Sequence, residues 1–285
     1  MNCPKCNCVN VRKEGFGHYG IQQYRCKECN HFFSEDTVNK CKTLIFDIET
    51  APIQALVWRV WKENISIDQI ESDWFMLCWS AKWLNDSEII GERLTGKEAL
   101  KENDKRIIKK LWNLFDEADI IVAHNGDYFD IPKTRSRFLL NGMKPPSPFR
   151  TIDTLKIAQK QFGFSHNKLD FLAGQFGLDR KLPTDFKLWS KCLKGDDASL
   201  QYMFDYNKKD VLILEEVYLR LRGWTKSHPN MNMFQPETGC ANCGSINIKP
   251  KGYYTTQTRR YRSWQCQDCG AFSRETAKTK ISTAR

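Results

Sequence analysis

The chain has 285 residues, of which 41% are hydrophobic, and it carries 44 Lys and Arg residues against 34 Asp and Glu residues. This length fits one or two domains with small appendages, and the apolar and aromatic content excludes a wholly disordered, collagen-like or fibrous chain. No apolar run reaches the roughly 18 residues that a spanning helix needs, and the N-terminus lacks the basic start and apolar centre of a signal peptide. A cytoplasmic location is therefore expected.

The net charge of +10 indicates a polyanionic partner, although charge alone does not separate nucleic acid from an anionic membrane surface. The positive excess lies at the C-terminal end, because residues 227–285 carry 9 basic and 3 acidic side chains whereas residues 42–226 carry 29 and 27. The C-terminal end is therefore the most basic part of the chain.

Eight of the twelve cysteines form four CxxC pairs at the two ends of the chain. Each end has two pairs, separated by 19 residues in the first set and 22 in the second, a spacing typical of four thiolates around one zinc ion. Disulfide bonds are the alternative, which the absence of a signal peptide disfavours. Cys8 is close enough to the first set to be a substitute ligand. The predicted Zn²⁺ ligands are Cys3, Cys6, Cys26 and Cys29 in one set, and Cys240, Cys243, Cys266 and Cys269 in the other.

Both ends resemble the small zinc ribbons of transposase and helicase-associated DNA-binding modules, in which CPxC, a Gly/aromatic arm and QxYRCxxCxxF follow one another. The resemblance implies contact with nucleic acid, DNA above all. The second end departs from the pattern by inserting Ser263 and Trp264 between its Tyr-Arg pair and its cysteines. Its basic residues alternate with aromatic ones, which suits phosphate contact and base stacking, although a solvated structural ribbon or a protein-docking ribbon is the alternative. The basic residues are Lys249, Lys251, Arg259, Arg260 and Arg262, and the aromatic ones are Tyr253, Tyr254, Tyr261 and Trp264.

The middle region, residues 42–226, reads as alternating strands and helices, which indicates an α/β domain. Strands are predicted over residues 43–49, 74–84, 88–94 and 120–123. One helix is predicted over residues 97–117, with Leu100 on its apolar face, and another over residues 200–222.

Carboxylates stand out in three places of this region. Asp47 and Glu49 lie two residues apart on a predicted strand, so both face the same side, although such a pair alone is a weak signal. Asp130 follows the strand that ends at residue 123, with Asp127 as its competitor there. Asp210 is the one charge in an apolar stripe of the last helix, where a buried carboxylate needs a cation, and Tyr206 lies one turn before it.

Together these residues resemble the three exonuclease motifs of the DEDD nuclease superfamily, in its tyrosine-containing branch. The sequence FDIET contains Asp47 and Glu49, HNGDYFD contains Asp130, and YNKKD contains Tyr206 and Asp210. The pattern is similar to that of the proofreading 3′–5′ exonuclease domains of B-family DNA polymerases and of stand-alone bacterial and viral relatives. The histidine branch would need His at position 205, which is aspartate here.

The resemblance implies an RNase H-like mixed sheet with helices on both faces, over residues 41–225, between a zinc ribbon in residues 1–40 and a linker, second ribbon and basic tail in residues 226–285. It further implies two catalytic Mg²⁺ or Mn²⁺ ions, which hard oxygen ligands favour, besides two structural Zn²⁺. By analogy, Asp47 contacts both catalytic ions, Glu49 and Asp210 complete the site of one, and Asp130 helps to hold the other. Tyr206 orients the attacking water.

The expected function is metal-dependent 3′–5′ hydrolysis of single-stranded DNA, with the ribbons binding nucleic acid. An RNA exonuclease of the same chemistry and a DNA-binding protein with an inactive core are the alternatives. Family habit suggests a bacterial cell or one infected by a bacteriophage. The expected nucleic-acid contacts are Thr50, Asn125 and Lys168 in the middle region and Lys251, Arg259, Arg260, Arg262 and Trp264 in the second ribbon.

Overall fold

The computed structural model describes residues 2–3, 5–16, 22–34, 41–235, 237–275 and 281–283. Most of the linker expected at residues 34–42 and of the basic tail expected at 278–285 lies outside these ranges. The chain divides into one compact unit of residues 42–229 and another that combines residues 1–41 with residues 230–285. Within the described residues, no helix is both long and apolar enough to cross a bilayer.

The N-terminal segment is a three-stranded antiparallel ribbon, with β1 at Val11–Phe16, β2 at Gln22–Cys26 and β3 at Phe32–Ser34. Its small core contains Tyr24 and Phe33, whose rings stack 5.9 Å apart beside the cysteines. A segment of this size buries too little apolar surface to fold alone, which is why a metal cluster is expected to supply the missing stability.

The larger unit is built around a five-stranded mixed sheet in the order β10-β9-β4-β7-β8. On one side, β4 pairs in parallel with β9, and β9 pairs in parallel with β10. On the other side, β4 pairs antiparallel with β7, and β7 pairs antiparallel with β8. A short hairpin, β5 with β6, leaves the sheet directly after β4. The strands are β4 Thr43–Thr50, β5 Gln54–Ala55, β6 Ile70–Ser72, β7 Met76–Trp83, β8 Ile90–Arg93, β9 Ile120–Ala123 and β10 Arg150–Asp153.

Helices cover both faces of this sheet. Phe46 of β4 meets Phe115 of one helix edge to face at 5.0 Å, while the alternate residue Asp47 faces another helix that carries Asp210. The predicted mixed sheet with helices on both sides is thus confirmed. The helices are α1 Gly96–Leu100, α2 Lys105–Glu117, α3 Asp130–Leu140, α4 Thr154–Gln161, α5 Leu169–Gln175, α6 Phe186–Leu193 and α7 Asp197–Arg222.

The helix predicted over residues 97–117 is wrong in one respect, because the chain breaks between α1 and α2. Glu102 adopts a positive φ of 53°, and the buried Asp104 uses its carboxylate to accept the amide of Met76 at 3.0 Å. Leu100, expected on the apolar face, is 64% exposed. A carboxylate that bonds a distant backbone amide thus outweighs the local helical periodicity. The strands β7 and β8 are also shorter than predicted, by three residues each.

A buried ion pair joins the sheet to the longest helix. Lys82 of β7 contacts Glu215 of α7, and the two residues are only 7% and 6% exposed. The second oxygen of Glu215 accepts the amide of Asn85 at 3.1 Å. Removing one partner of such a pair leaves a buried charge without compensation.

We therefore expect Lys82→Met to lower the free energy of unfolding by about 3–5 kcal/mol. Adding Glu215→Gln, which keeps the acceptor for Asn85, should restore most of the loss because the uncompensated charge is gone. Urea unfolding at neutral pH measures both effects. A loss below about 1 kcal/mol in the single variant would show that the pair behaves like a solvent-screened surface pair.

The C-terminal segment forms a second ribbon, with β11 at Ile248–Thr255, β12 at Arg260–Cys266, β13 at Phe272–Glu275 and β14 at Ile281–Thr283. Its hydrogen bonds repeat those of the first ribbon position by position. The Cys3 amide bonds the carbonyl of Cys8 at 2.8 Å, as the Cys240 amide bonds that of Ser245. Likewise, the amide of Cys26 bonds the carbonyl of His31, as that of Cys266 bonds the carbonyl of Ala271. The two ends are therefore copies of one module.

The strand register corrects the apparent insertion in the second ribbon. Tyr24 pairs with Phe33 across β2 and β3, and Trp264 pairs with Ser273 across β12 and β13. Trp264 therefore takes the position of Tyr24, two residues before a cysteine, and no residues are inserted at that point. The extra length lies further out, where β12 is seven residues long and β2 is five.

Candidate functional site

Each ribbon brings its four predicted cysteines together. Within each set, all four sulfur atoms lie within 4.8 Å of one another, a donor set that could hold one zinc ion. Cys8 has a different role, since its sulfur accepts the Asn10 amide at 3.1 Å and its counterpart in the second ribbon is Ser245.

In the larger unit, the end of β4 presents Asp47 and Glu49 to α7. The strand alternation puts both side chains on one face, and the buried Met203, Ile213 and Val217 pack α7 against the core. Carboxylate oxygens of Asp47, Glu49 and Asp210 lie within 4.8 Å of one another. Asp210 of α7 and the pair Asp47 and Glu49 of β4, all singled out from the sequence, therefore lie together at one site.

Asp130 reaches the same region from the first turn of α3. Its side chain is 3% exposed and accepts the amide of Ile48, the residue between Asp47 and Glu49, at 3.3 Å. Burial raises the pKa of Asp130 to about 7, although this amide opposes the shift. The competing Asp127 points elsewhere and pairs with Lys156 at 2.7 Å. Asp130 is thus the aspartate of this loop that joins the cluster.

The loop before Asp130 is held by a carboxylate that the sequence did not single out. Asp153, at the N-cap of α4, accepts the amide of Asn125 at 2.9 Å and that of Asp127 at 3.3 Å. Asn125 has a φ of +65°, and a Cβ on Gly126 would lie 2.3 Å from the Cβ of Ala123. The tight turn therefore needs glycine, and it fixes where α3 begins.

The four carboxylates repel one another in this arrangement. Burial, followed by the charges of Asp130, Asp210 and Glu49, holds the pKa of Asp47 well above its usual range. Burial and the charge of Asp210 raise the pKa of Glu49 to about 8. Such shifts are expected where like charges share a buried site.

A divalent cation fits this donor set. Asp210 Oδ1 is buried and has no hydrogen-bond partner among the described residues. This oxygen is therefore free to coordinate an ion beside the other carboxylates. Hard carboxylate oxygens prefer Mg²⁺ or Mn²⁺. Asp47, Glu49 and Asp210 would hold such an ion, and Asp130 is close enough to act on the same cluster electrostatically.

Lys181 is a member of the site that sequence reasoning missed. Its ammonium contacts Asp210 and donates to the hydroxyl of Tyr206 at 3.2 Å. Burial alone would lower the pKa of Lys181, but Asp210 more than offsets this and the pKa is raised. Burial and the charge of Asp210 raise the pKa of Tyr206 to about 12, so its phenol stays protonated. Both groups are therefore hydrogen-bond donors at neutral pH.

Asn207 is a second residue that the sequence did not single out, although it follows Tyr206 in the motif YNKKD. Its side-chain amide donates to Asp47 Oδ2 at 2.6 Å. The bond fixes the orientation of the Asp47 carboxylate.

The remaining predicted contacts are divided among three places. Thr50 lines a cavity of about 510 Å³ together with Trp74 and Lys133. Asn125 and Lys168 line a different cavity, of about 690 Å³, beside Tyr206 and Lys181. The other five contacts, Lys251, Arg259, Arg260, Arg262 and Trp264, lie in the arm of the second ribbon.

Comparison with known proteins supports the fold. Residues 92–222 match the family model RNase_H_2, described as the RNase_H superfamily. With the sheet order described above, this match shows that the larger unit has an RNase H-like fold. No curated protein matches the chain.

Solved structures also match. One of them is the family B DNA polymerase from the hyperthermophilic archaeon Pyrobaculum calidifontis, which is 14% identical with a TM-score of 0.43. The match covers 78% of this chain but 32% of that polymerase, so the chain spans about a third of its length. These values are too low to assign a function.

The raised pKa values predict how metal affinity depends on pH. A metal ion must displace the protons that Glu49 and Asp130 retain at neutral pH, so affinity for Mn²⁺ should increase with pH until these carboxyls, with pKa values of about 8 and 7, have titrated. Calorimetric titration of the zinc-loaded protein in buffers of different ionisation enthalpy measures both affinity and proton release. Affinity that stays constant from about pH 6 to 8 would contradict this assignment.

Proposed function

We propose that the chain is a metal-dependent 3′–5′ exonuclease that hydrolyses phosphodiester bonds of single-stranded DNA. The observation that carries the proposal is the convergence of Asp47, Glu49, Asp130 and Asp210 with Tyr206 at one edge of an RNase H-like sheet. Clustered carboxylates can hold the two metal ions of an in-line phosphodiester hydrolysis, and Tyr206 adds a positioned proton donor.

In this proposal, Asp47 would contact both divalent ions, and Asn207 keeps its carboxylate in place. Glu49 and Asp210 would hold a divalent ion together with Asp47, and Asp130 would help to hold a second one. Bound Mg²⁺ or Mn²⁺ would neutralise the carboxylates, activate water and stabilise the charge that develops on the leaving 3′-oxygen. The phenol of Tyr206, held in its neutral form, orients the water for in-line attack.

Lys181 adds a cation to the same edge. Its ammonium already contacts Asp210 and Tyr206, so a phosphate that enters there meets a hydrogen-bond donor and a positive charge. The terminal ribbons would each hold one zinc ion and serve nucleic-acid binding, for which the more basic second ribbon is the stronger candidate. The cytoplasm is the expected compartment.

DNA is favoured over RNA because the motifs resemble those of proofreading domains and the ribbons resemble DNA-binding ones. A binding protein with an inactive core is disfavoured, because all four carboxylates and the tyrosine are present and converge. A degenerate site is expected to have lost at least one of them.

The test is digestion of 5′-labelled single-stranded DNA and RNA of the same sequence, in Mg²⁺, in Mn²⁺ and in excess EDTA. The proposal predicts a ladder that shortens from the 3′ end only when a divalent ion is present, with DNA cut faster than RNA. Faster cutting of RNA would reassign the substrate. Intact DNA and RNA in all conditions would overturn the proposed activity.

A further inference from the structure

The arm of the second ribbon, formed by β11 and β12, is strongly basic. Between Ile248 and Cys266 the sequence contains five basic residues and no aspartate or glutamate. All five side chains are exposed. They are Lys249, Lys251, Arg259, Arg260 and Arg262. This density of positive charge attracts a polyanion and makes its binding sensitive to salt.

The strand register places aromatic and basic side chains on one face of this arm. Tyr253 lies opposite Arg262, and Thr255 lies opposite Arg260. Because residues two apart on a strand share a face, Trp264 joins them. We call Tyr253, Arg260, Arg262 and Trp264 the stacking face.

Contacts within the stacking face leave ring surface accessible. The guanidinium of Arg260 lies 4.0 Å from the ring centre of Tyr253, and that of Arg262 lies 5.3 Å from the ring of Trp264. Tyr253 is nevertheless 62% exposed. A planar base can therefore approach the tyrosine ring while the arginines contact the flanking phosphates.

The opposite face of the arm differs. Tyr254 and Tyr261 lie opposite each other, and Arg274 of β13 covers both, at 5.0 Å and 4.7 Å from their ring centres. Neither tyrosine is exposed to the extent of Tyr253. These rings serve to pack the ribbon, so the two faces have different roles.

The first ribbon has the same hydrogen-bond pattern without a stacking face in its described residues. Tyr24, which takes the position of Trp264, is only 9% exposed and stacks on Phe33. On β1, Arg12 pairs with Glu14 at 2.6 Å, which neutralises part of the positive charge. The two ribbons therefore share the backbone hydrogen bonds around their cysteines but differ at the surface.

We propose that the stacking face of the second ribbon, rather than the described residues of the first, binds single-stranded nucleic acid. A base would stack on the exposed ring of Tyr253, beside the half-buried Trp264, and Arg260 and Arg262 would contact the phosphates. The inference rests on the proposed function for the class of ligand, a nucleic-acid strand. Single strands are favoured over duplexes because the faces of paired bases are already stacked on their neighbours.

The test measures binding without cleavage. The full zinc-loaded chain carrying Asp47→Asn is titrated, in EDTA-free buffer without Mg²⁺ or Mn²⁺, against one labelled single strand and against its duplex. Tyr253→Ala should weaken single-strand binding by roughly 5- to 100-fold, the range for loss of one stacked base, and Tyr253→Phe should restore it. Duplex binding should change little.

Arg262→Ala and Lys13→Ala form a matched pair, since each removes one basic side chain from the arm of one ribbon. We expect Arg262→Ala to weaken binding and reduce its salt dependence, and Lys13→Ala to leave both unchanged. Equal effects of the two variants, or unchanged affinity in Tyr253→Ala, would overturn the inference.

These outcomes are independent of the proposed nuclease activity. If the wild-type protein cuts no nucleic acid but Tyr253→Ala loses single-strand binding, the stacking face stands and the activity falls. If the wild-type protein cuts DNA and Tyr253→Ala binds like its parent, the activity stands and the stacking face falls.

Discussion

Replacing Asp47 by asparagine is expected to reduce DNA digestion by about 10²- to 10³-fold, the scale of losing an electrostatic group that acts in the transition state. Carboxylate oxygens of Asp47, Glu49 and Asp210 lie within 4.8 Å of one another, and Asn207 orients the carboxylate of Asp47. Asparagine keeps the size of the side chain but removes the charge that would hold divalent ions. Steady-state digestion of labelled single-stranded DNA in saturating Mg²⁺ measures the loss.

The same substitution should change stability in the opposite direction. In the metal-free protein, burial and the neighbouring carboxylates hold the pKa of Asp47 well above its usual range, so the charged form is disfavoured there. Removing this carboxylate should stabilise the metal-free core at neutral pH and eliminate the stabilisation that Mg²⁺ gives to the wild type. Thermal melting with and without Mg²⁺ measures both.

Asp127→Asn is the matched control for Asp47→Asn. Asp127 belongs to the same loop as Asp130 but pairs with Lys156 rather than joining the carboxylate cluster. We expect it to retain digestion within a few-fold of wild type. Equal activity of Asp47→Asn and Asp127→Asn would contradict the assignment of the cluster as the reactive site.

Loss of one zinc ligand should have the second large effect. Cys266 is 2% exposed, and its sulfur lies among the four of the second ribbon. Structural zinc contributes an apparent binding free energy of about 10–16 kcal/mol to such modules. Cys266→Ser should therefore unfold the second ribbon, lower the zinc content from two ions to one per chain, and abolish the binding attributed to the stacking face.

The core should tolerate this change, because its own sheet and helices form a separate compact unit. Digestion of very short oligonucleotides is therefore expected to persist in Cys266→Ser. Metal analysis by mass spectrometry measures the zinc content, and amide hydrogen exchange over residues 240–275 measures the unfolding of the second ribbon.

Cys8→Ser is the control for zinc binding. Ser245 takes the position of Cys8 in the second ribbon, where the same backbone hydrogen bond forms. The substitution should leave two zinc ions bound. Loss of a zinc ion from Cys8→Ser, or a full zinc content in Cys266→Ser, would contradict the four-cysteine assignment.

Periodicity alone predicts much of the carboxylate site. A strand period of two puts Asp47 and Glu49 on one face, and a helix period of 3.6 puts Tyr206 and Asp210 in one row. The structure brings three of these carboxylates within 4.8 Å. Periodicity does not predict that the side of α7 with Asp210 packs against the face of β4 with Asp47. That packing was expected from the resemblance to known nucleases.

Residues in loops were harder to predict. Lys181 lies between α5 and α6, where no periodic pattern indicates the direction of a side chain, and its partner Asp210 is 29 residues away. Asp153 accepts hydrogen bonds from backbone amides of another loop, and no sequence pattern predicts such bonds. The break between α1 and α2 has the same origin, since Asp104 bonds residues distant in sequence. Long-range polar contacts of this kind depend on the completed fold.

The most direct test of the central claim is the fate of solvent oxygen during digestion. Single-stranded DNA is treated with the wild-type protein and Mg²⁺ in water enriched in ¹⁸O, and the released products are analysed by mass spectrometry. Attack of water on the terminal phosphodiester predicts nucleoside 5′-monophosphates that carry one ¹⁸O on phosphorus, and none from Asp47→Asn. Release of 3′-phosphates, release of longer fragments without mononucleotides, or the same labelled products from Asp47→Asn would contradict the account.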